Sequence, residues 1–207
     1  MAVTLRCKSG NESNNITIIN VYDSQEESSF KNRRKQKMGI LPSTLDSLLD
    51  FITRKKFDKI LLVGDFNART KDLNHKLVTE KFEIHSSSIA PRSEPMDYPR
   101  ASKDSTINPR GKLFLDFAAC SNITLLNGCT IGDIFGEYTS CNYKGISVVD
   151  YIGVSQSLFS SIYSFKVGNL TSFSDHKPCY CSIKMKNDIT SGDLILNSLE
   201  DAPKIYR

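Results

Sequence analysis

The sequence predicts an α/β fold, a sandwich built on a mixed sheet flanked by helices, within a chain of 207 residues. Three observations lead to this prediction. A continuous apolar run at 60–63 stops at Gly64, as in a strand buried on both faces. The preceding segment, 43–56, has leucines at helical spacing. Short strand-like runs then dominate the second half, and strands alternating with helices before hairpins are typical of mixed-sheet sandwiches.

Composition excludes several classes of protein. Apolar residues make up 39% of the chain and charged residues 24%, which is globular rather than disordered. The net charge of +4 permits an anionic partner without implying one. No apolar run approaches the roughly 18 residues of a membrane span, and the first residues lack the pattern of a secretory signal. We therefore expect an intracellular protein, nuclear or cytoplasmic, that neither enters a membrane nor is secreted.

The first half of the chain contains two predicted strands and one helix. Residues 15–22 are β-branched and apolar and predict a strand. A helix is predicted over 43–56, where Ser43 and Asp46 resemble a capping box. The strand at 60–63 follows. Between the first strand and the helix lies a basic run that fits either a solvated loop or a phosphate-contacting patch: Lys31, Arg33, Arg34, Lys35 and Lys37.

The second half begins irregularly and then resumes short elements. Residues 70–108 lack periodicity, and the polar stretch 86–109 predicts a long surface loop. Apolar spacing after Gly111 predicts a further helix. The remaining predictions are a strand at 123–126, a hairpin of 138–143 with 147–154, a helical turn at 157–162, and strands at 163–167 and 178–185. We place the domain at 1–186 and a fraying polar tail at 187–207.

The six cysteines are scattered and form no Cys-x-x-Cys pair. A disulfide between Cys179 and Cys181 on one strand would be strained, so we expect six reduced thiols, as in an intracellular protein.

Three acidic segments carry the candidate chemistry, each at the end of an apolar strand. They are 63–67, 148–152 and 173–176. A buried strand tolerates Asp150 only if its charge is paired, and His176 is the natural partner. Each segment alone also occurs as an ordinary turn, but their order and spacing together favour a site. Asp65, Asn67, Asp150, Asp175 and His176 suit Mg²⁺-assisted attack on a phosphate ester.

These motifs resemble the endonuclease/exonuclease/phosphatase superfamily, which includes deoxyribonuclease I and the abasic-site endonucleases. The likeness extends in particular to endonuclease domains of LINE-type (non-LTR) retrotransposon proteins. It covers 15–183, nearly the whole chain. The residues that carry it are Ile18–Tyr22, Leu62–Ala68, Asn108 with Gly111, Leu125–Gly128, Tyr138 with Thr139, Ser147–Ile152 and Ser174–Pro178.

The resemblance implies a deoxyribonuclease I-like fold, a four-layer α/β sandwich of two mixed sheets flanked by helices. It also implies hydrolysis of DNA phosphodiesters with Mg²⁺ or Mn²⁺ as cofactor, so the phosphate backbone of DNA is the expected partner. No obligate protein partner can be inferred.

The resemblance assigns a role to each site residue. Asp65 would orient or deprotonate the attacking water, and Asn67 would hold that water or a phosphate oxygen. Asp150 would pair with His176, which would stabilise charge on the pentacovalent phosphate. Asp175 would be a metal ligand together with Asp65 and Asn67, and Tyr22 would contact the scissile phosphate.

The sequence departs from the family at its N-terminus. The family domain begins well upstream of its Tyr-bearing strand, and that part holds an Asn and a metal-ligating Glu on separate early strands. Glu12 lies in a polar stretch and is no substitute. We therefore expect an N-terminally truncated domain with an unpaired sheet edge, poor metal affinity and weak activity. Two alternatives stay open: a non-catalytic remnant, and a phosphatase of small phosphoesters or inositol lipids.

Overall fold

The structure, a computed structural model, describes residues 2–9, 12–23, 44–73, 99–184 and 195–198. The basic run at 31–37 and the first part of the predicted surface loop, 86–98, lie outside the described residues. The strands are β1 (Ala2–Ser9), β2 (Glu12–Tyr22), β3 (Lys59–Asp65), β4 (Ile123–Leu125), β5 (Ser140–Asn142), β6 (Gly145–Ser147), β7 (Asp150–Ser155), β8 (Ile162–Val167), β9 (Cys179–Ile183) and β10 (Ile195–Ser198). The helices are α1 (Thr44–Lys55), α2 (Pro109–Cys120) and α3 (Gln156–Phe159).

A mixed six-stranded sheet organises the described residues, in the order β10-β1-β2-β3-β7-β4. Strands β2 and β3 are parallel, because the chain crosses over between them through α1. Strand β7 runs antiparallel to β3. The carboxyl ends of β2 and β3 therefore meet the amino end of β7 at one edge of the sheet. Two further sheets have two strands each among the described residues, β5-β6 and β8-β9.

Alternating side chains of the central strands fill two apolar clusters. Ile60 and Leu62 of β3 pack with α1 and α2, whereas Leu61 and Val63 pack with α3, β8 and β9. A strand buried on both faces requires this continuous apolar run. Helices α1 and α2 thus cover one face of the large sheet, and α3 with the β8-β9 sheet covers the other. The α/β architecture predicted from the sequence is confirmed.

Most predicted elements lie where the sequence placed them, but the predicted hairpin of 138–143 with 147–154 is confirmed only in its first part. A short hairpin forms between β5 and β6, whereas β7 leaves it and joins the large sheet between β3 and β4. The separation follows from two backbone N–H groups, those of Val149 and Asp150, which both donate to the hydroxyl of Thr139 rather than to a strand ladder.

The described part of the predicted surface loop, 99–108, is irregular as expected, but it is not exposed throughout. Arg100 and Asp104 are buried, and their side chains bond to the Asn127 carbonyl and to Arg69. Within the predicted polar tail, Ile195–Ser198 form β10 against β1. Strand β1 is absent from the sequence prediction. It pairs with β2 along its whole length, so the Tyr22 strand is not an edge.

The described helices include none long and apolar enough to cross a membrane. Five cysteines have described side chains, and all five are free thiols.

Candidate active site

A row of three side chains crosses the sheet edge at the ends of β2, β3 and β7. Tyr22 is the register partner of Asp65, and Asp65 is the register partner of Asp150. Directly paired residues project their side chains to the same face of a sheet. The fold therefore brings a phenol and two carboxylates from three distant parts of the sequence to one place. Tyr22 is 53% exposed, while Asp65 and Asp150 are half-buried.

The segment from Gly64 to Asn67 turns the chain sharply as β3 ends. Gly64 has φ +147°, and a Cβ there would lie 1.8 Å from the Val21 carbonyl oxygen, so only glycine fits. Phe66 anchors the turn in the core and stacks on Phe114, with ring centroids 4.2 Å apart. Asn67 adopts a left-handed φ of +48°, and its backbone N–H donates to Asp65 Oδ1 at 2.9 Å. The carboxylate of Asp65 is thereby fixed in orientation.

The Asn67 side chain is held by its nitrogen. Its Nδ2 donates to the backbone oxygen of Asp23 at 2.9 Å and to Asp65 Oδ2 at 3.3 Å. An amide oxygen is the atom of such a side chain that can contact a cation or a water proton. Asn108 secures the same turn, because its Nδ2 donates to the Asn67 carbonyl while its Oδ1 caps α2 by accepting from Gly111 N.

His176 reaches the site from the loop between β8 and β9. Its Nδ1 lies 3.0 Å from Asp150 Oδ1 and 2.9 Å from Oδ2, so the expected hydrogen bond is present. The backbone fastens this loop to the β5 strand, through a bridge between Ser140 and His176 and a bond from Cys141 N to the Asp175 oxygen. The imidazole is positioned by strand-like contacts although it lies in a loop.

Two polar residues position Asp150 from behind. The Thr139 hydroxyl accepts the N–H groups of Val149 and Asp150, each at 3.0 Å. Asn127 Nδ2 donates to the Asp150 carbonyl, also at 3.0 Å. Both residues are buried. The sequence predicted no role for either residue, although both were among the motif residues. In the sequence, these two residues stand out only as polar residues between apolar runs, and that pattern does not reveal their hydrogen-bond partners.

The two carboxylates and the imidazole form one cluster. Ligand atoms of Asp65, Asp150 and His176 all lie within 4.8 Å of one another. Burial raises the pKa of Asp65, and the nearby charge of Asp150 raises it further. Burial also raises the pKa of Asp150, although its bonds to Thr139 and His176 oppose that shift. For His176, burial alone would lower the pKa, but the hydrogen bond and charge of Asp150 outweigh it and raise the pKa.

The cluster fits a hard divalent cation in its donor chemistry. Two half-buried carboxylates lie beside a single imidazole, and Asn67 adds an amide oxygen. Oxygen donors with excess negative charge are what Mg²⁺ prefers. Asp175 is exposed and lies outside the cluster, but its charge acts on both Asp150 and His176.

The structure thus places the predicted site residues in three groups. It brings Asp65, Asp150 and His176 into contact range and attaches Asn67 to Asp65. It places Tyr22 beside Asp65 through strand register. It leaves Asp175 on the exposed side of the same loop as His176.

Comparison with known proteins finds similarity only among solved structures. No family profile and no curated protein matches the sequence. The 3′ phosphatase NExo from Neisseria, bound to product DNA hairpin, has a TM-score of 0.52 at 19% identity, over 82% of this chain and 62% of that one. The catalytic domain of APE2 from Xenopus laevis has 0.56 at 13% identity, over 97% and 57%. The AP endonuclease LMAP from Leishmania major has 0.55 at 14% identity, over 84% and 51%.

The chain has the deoxyribonuclease I-like fold. That confirms the fold which the sequence resemblance implied. The chain spans only about half to three-fifths of the length of the solved structures it matches.

Proposed function

We propose that this chain hydrolyses phosphodiester bonds of DNA as a Mg²⁺-dependent endonuclease related to those of LINE-type retrotransposons. The observation that carries the proposal is the cluster of Asp65, Asp150 and His176, with His176 hydrogen-bonded to Asp150. The printed names of the similar structures, an AP endonuclease and a 3′ phosphatase with product DNA, support chemistry on DNA phosphoesters.

Asp65 is the proposed base for the attacking water. A general base works best when its pKa lies nearer the working pH than that of an ordinary carboxylate. Burial and the neighbouring Asp150 shift the pKa of Asp65 in that direction. The backbone N–H of Asn67 fixes one oxygen of this carboxylate, and the Asn67 amide lies where it could hold the same water or a phosphate oxygen.

His176 is the proposed stabiliser of charge on the pentacovalent phosphate. Asp150 is hydrogen-bonded to Nδ1 of His176. The other ring nitrogen, Nε2, points away from Asp150 and is the one that can face the substrate. The raised pKa of His176 favours the protonated ring, which can donate to a developing oxyanion. Asp150 acts here by holding and charging the imidazole.

Tyr22 and Asp175 complete the proposed site. The Tyr22 phenol, next to Asp65 in register and half exposed, would donate to the scissile phosphate. Asp65, Asn67 and Asp175 would hold Mg²⁺, which neutralises phosphate charge when bound. All other steps rest on groups of the chain itself, mainly through positioning.

Plasmid nicking by the purified chain in millimolar Mg²⁺ tests the proposal. We expect weak nicking that disappears with chelator and in the variant Asp65→Ala. The matched control is Asp72→Ala, an exposed carboxylate outside the cluster, which should nick like the wild type. Equal background from wild type and Asp65→Ala would favour a non-catalytic remnant of the fold.

A phosphatase is the second candidate, favoured by the similarity to NExo, which is named as a 3′ phosphatase. An oligonucleotide with a 3′ phosphate separates the two activities. Release of inorganic phosphate without cleavage of internal bonds would favour the phosphatase. Release of phosphate from inositol phosphates but not from DNA would favour a small-phosphoester enzyme.

A further inference from the structure

The loop that carries His176 also presents a bare aromatic ring. The loop spans 168–178, between the end of β8 and the start of β9. Phe173 lies at its middle and is 96% exposed. Single exposed apolar side chains are common, so exposure alone decides nothing. Here the ring lies three residues from His176, on a segment whose backbone is fixed.

Several hydrogen bonds hold this loop in shape. Gly168 N donates to the Pro178 oxygen at 2.8 Å and closes the loop at its base. Thr171 and Ser174 form a bridge that makes a tight turn with Phe173 near its tip. His176 N then donates to Ser174 Oγ at 3.0 Å. The position of the ring is therefore coupled to that of the imidazole, and three residues of chain span at most about 10 Å.

Two lysines and a second exposed aromatic ring lie in or at the base of the Phe173 loop. Lys177 directly follows His176, and Lys166 of β8 is the register partner of Tyr180 of β9, whose side chain is 57% exposed. The one carboxylate within the loop, 168–178, is that of Asp175. Lysines are depleted at protein–protein interfaces, whereas aromatic rings among basic side chains are typical of surfaces that bind single-stranded nucleic acid.

We infer that Phe173 stacks on an unpaired base next to the phosphate held at Asp65, Asp150 and His176. The inference rests on the proposed function and adds to it a preference for unpaired DNA. Base–aromatic stacking tolerates any base, because every base has a flat apolar face. It requires that the base be out of the duplex, as in a single strand, a frayed end or a mismatch. The ring thus selects the structure of the DNA rather than its sequence.

Binding of two probes to the full chain tests the inference, with chelator present so that nothing is cleaved. The probes are labelled oligothymidylate and an abasic strand of equal length, followed by fluorescence anisotropy. Phe173→Ala should bind oligothymidylate about 5- to 100-fold more weakly than the wild type. The two proteins should bind the abasic strand equally. Phe173→Trp should restore tight binding, and Leu170→Ala, also exposed in the same loop, should have no effect.

Four results would overturn the inference. Equal binding of oligothymidylate by wild type and Phe173→Ala would remove the ring from the DNA contact and leave the proposed function intact. An equal loss on the abasic strand would mean that no base is involved. A change of oligomeric state in Phe173→Ala without a change in DNA binding would assign the ring to contact with a second copy. Failure of the wild type to bind either probe would overturn the proposed function along with the inference.

Discussion

Two aspartates, the buried Asp104 and the half-buried Asp150, lie at the same short segment, 148–150, with different partners. The Asp104 carboxylate accepts two hydrogen bonds from Arg69, from Nη2 at 2.6 Å and from Nε at 2.8 Å. It also accepts hydrogen bonds from the backbone N–H groups of Val148 and Thr106. Asp150, two residues beyond Val148, has His176 as its charged partner and faces a second carboxylate, Asp65. Hydrogen-bond donors therefore compensate the charge of the Asp104 carboxylate fully, whereas they do not do so for Asp150.

The pKa values follow this difference in partners. Burial alone would raise the pKa of Asp104, but the bonds from Arg69, Val148 and Thr106 outweigh burial and lower it. Burial raises the pKa of Asp150, and its partners do not reverse that shift. A carboxylate whose charge is fully compensated stabilises a fold, whereas one left under-compensated in a cluster keeps reactivity at a cost in stability. We therefore interpret Asp104 as a structural residue and Asp150 as a functional one.

The largest expected effect is on the free energy of unfolding when the Asp104 carboxylate is replaced. Asp104→Asn removes the charge and turns an amide toward Arg69, which leaves buried donors without acceptors. We expect the free energy of unfolding to fall by roughly 3 kcal/mol in urea denaturation at pH 7. Asp150→Asn is the matched control. An equal loss in both variants would contradict the comparison.

The pH dependence of this loss has a definite sign. The folded pKa of Asp104 is below its unfolded value near 3.9, so its contribution is complete above that pH and fades as pH falls through the folded pKa. The difference between wild type and Asp104→Asn should therefore shrink in acid.

The next largest effect concerns Thr139, which supports the functional aspartate. Thr139→Val leaves the N–H groups of Val149 and Asp150 without their shared acceptor, inside a fully buried site. We expect a loss of about 1–3 kcal/mol in unfolding free energy. Thr139→Ser keeps the hydroxyl and should retain most of the stability. A serine variant as unstable as the valine one would show that the methyl group matters more than the bonds.

Local patterns were enough to predict the strand-borne part of the site. Asp65 and Asn67 follow a buried apolar run and a required glycine, so their place at a strand end could be derived from the residues alone. Asp150 could be predicted as paired, because an isolated charge inside a strand is costly. The sequence predicts His176 as the partner of Asp150, and the structure has the two residues hydrogen-bonded.

Long-range contacts explain what the sequence analysis missed. The predicted hairpin extended to residue 154, whereas the observed hairpin ends at Ser147 and the Thr139 hydroxyl accepts the N–H groups of Val149 and Asp150. Arg100 and Asp104 lie in a stretch rich in polar residues, which is typical of a surface loop. Their burial depends on partners, Asn127 and Arg69, that lie tens of residues away.

A smaller effect on the free energy of unfolding is expected when the Asp150 carboxylate is replaced by an uncharged amide. Asp150→Asn should change the unfolding free energy at pH 7 by less than about 1 kcal/mol, since the lost bond to His176 is offset by relief of a buried charge. It should lower the pKa of His176, because the hydrogen bond and charge of Asp150 are the largest influences that raise it. NMR titration of the imidazole measures this shift, and an unchanged pKa would contradict the pairing.

The stability of the pair also depends on pH. A histidine whose folded pKa is raised stabilises the fold fully below its ordinary value near 6.5 and loses that contribution as pH rises through the raised value. The stability of wild type relative to Asp150→Asn should therefore fall over that range.

The cleavage rate of Asp150→Asn relative to wild type, measured in Mg²⁺ at a temperature where both are fully folded, tests the central claim most directly. The account predicts a loss of about 100-fold or more without a matching loss of stability, because His176 would no longer be held and charged. A variant that cleaves DNA at the wild-type rate would contradict the assignment of Asp150 and His176 to the active site.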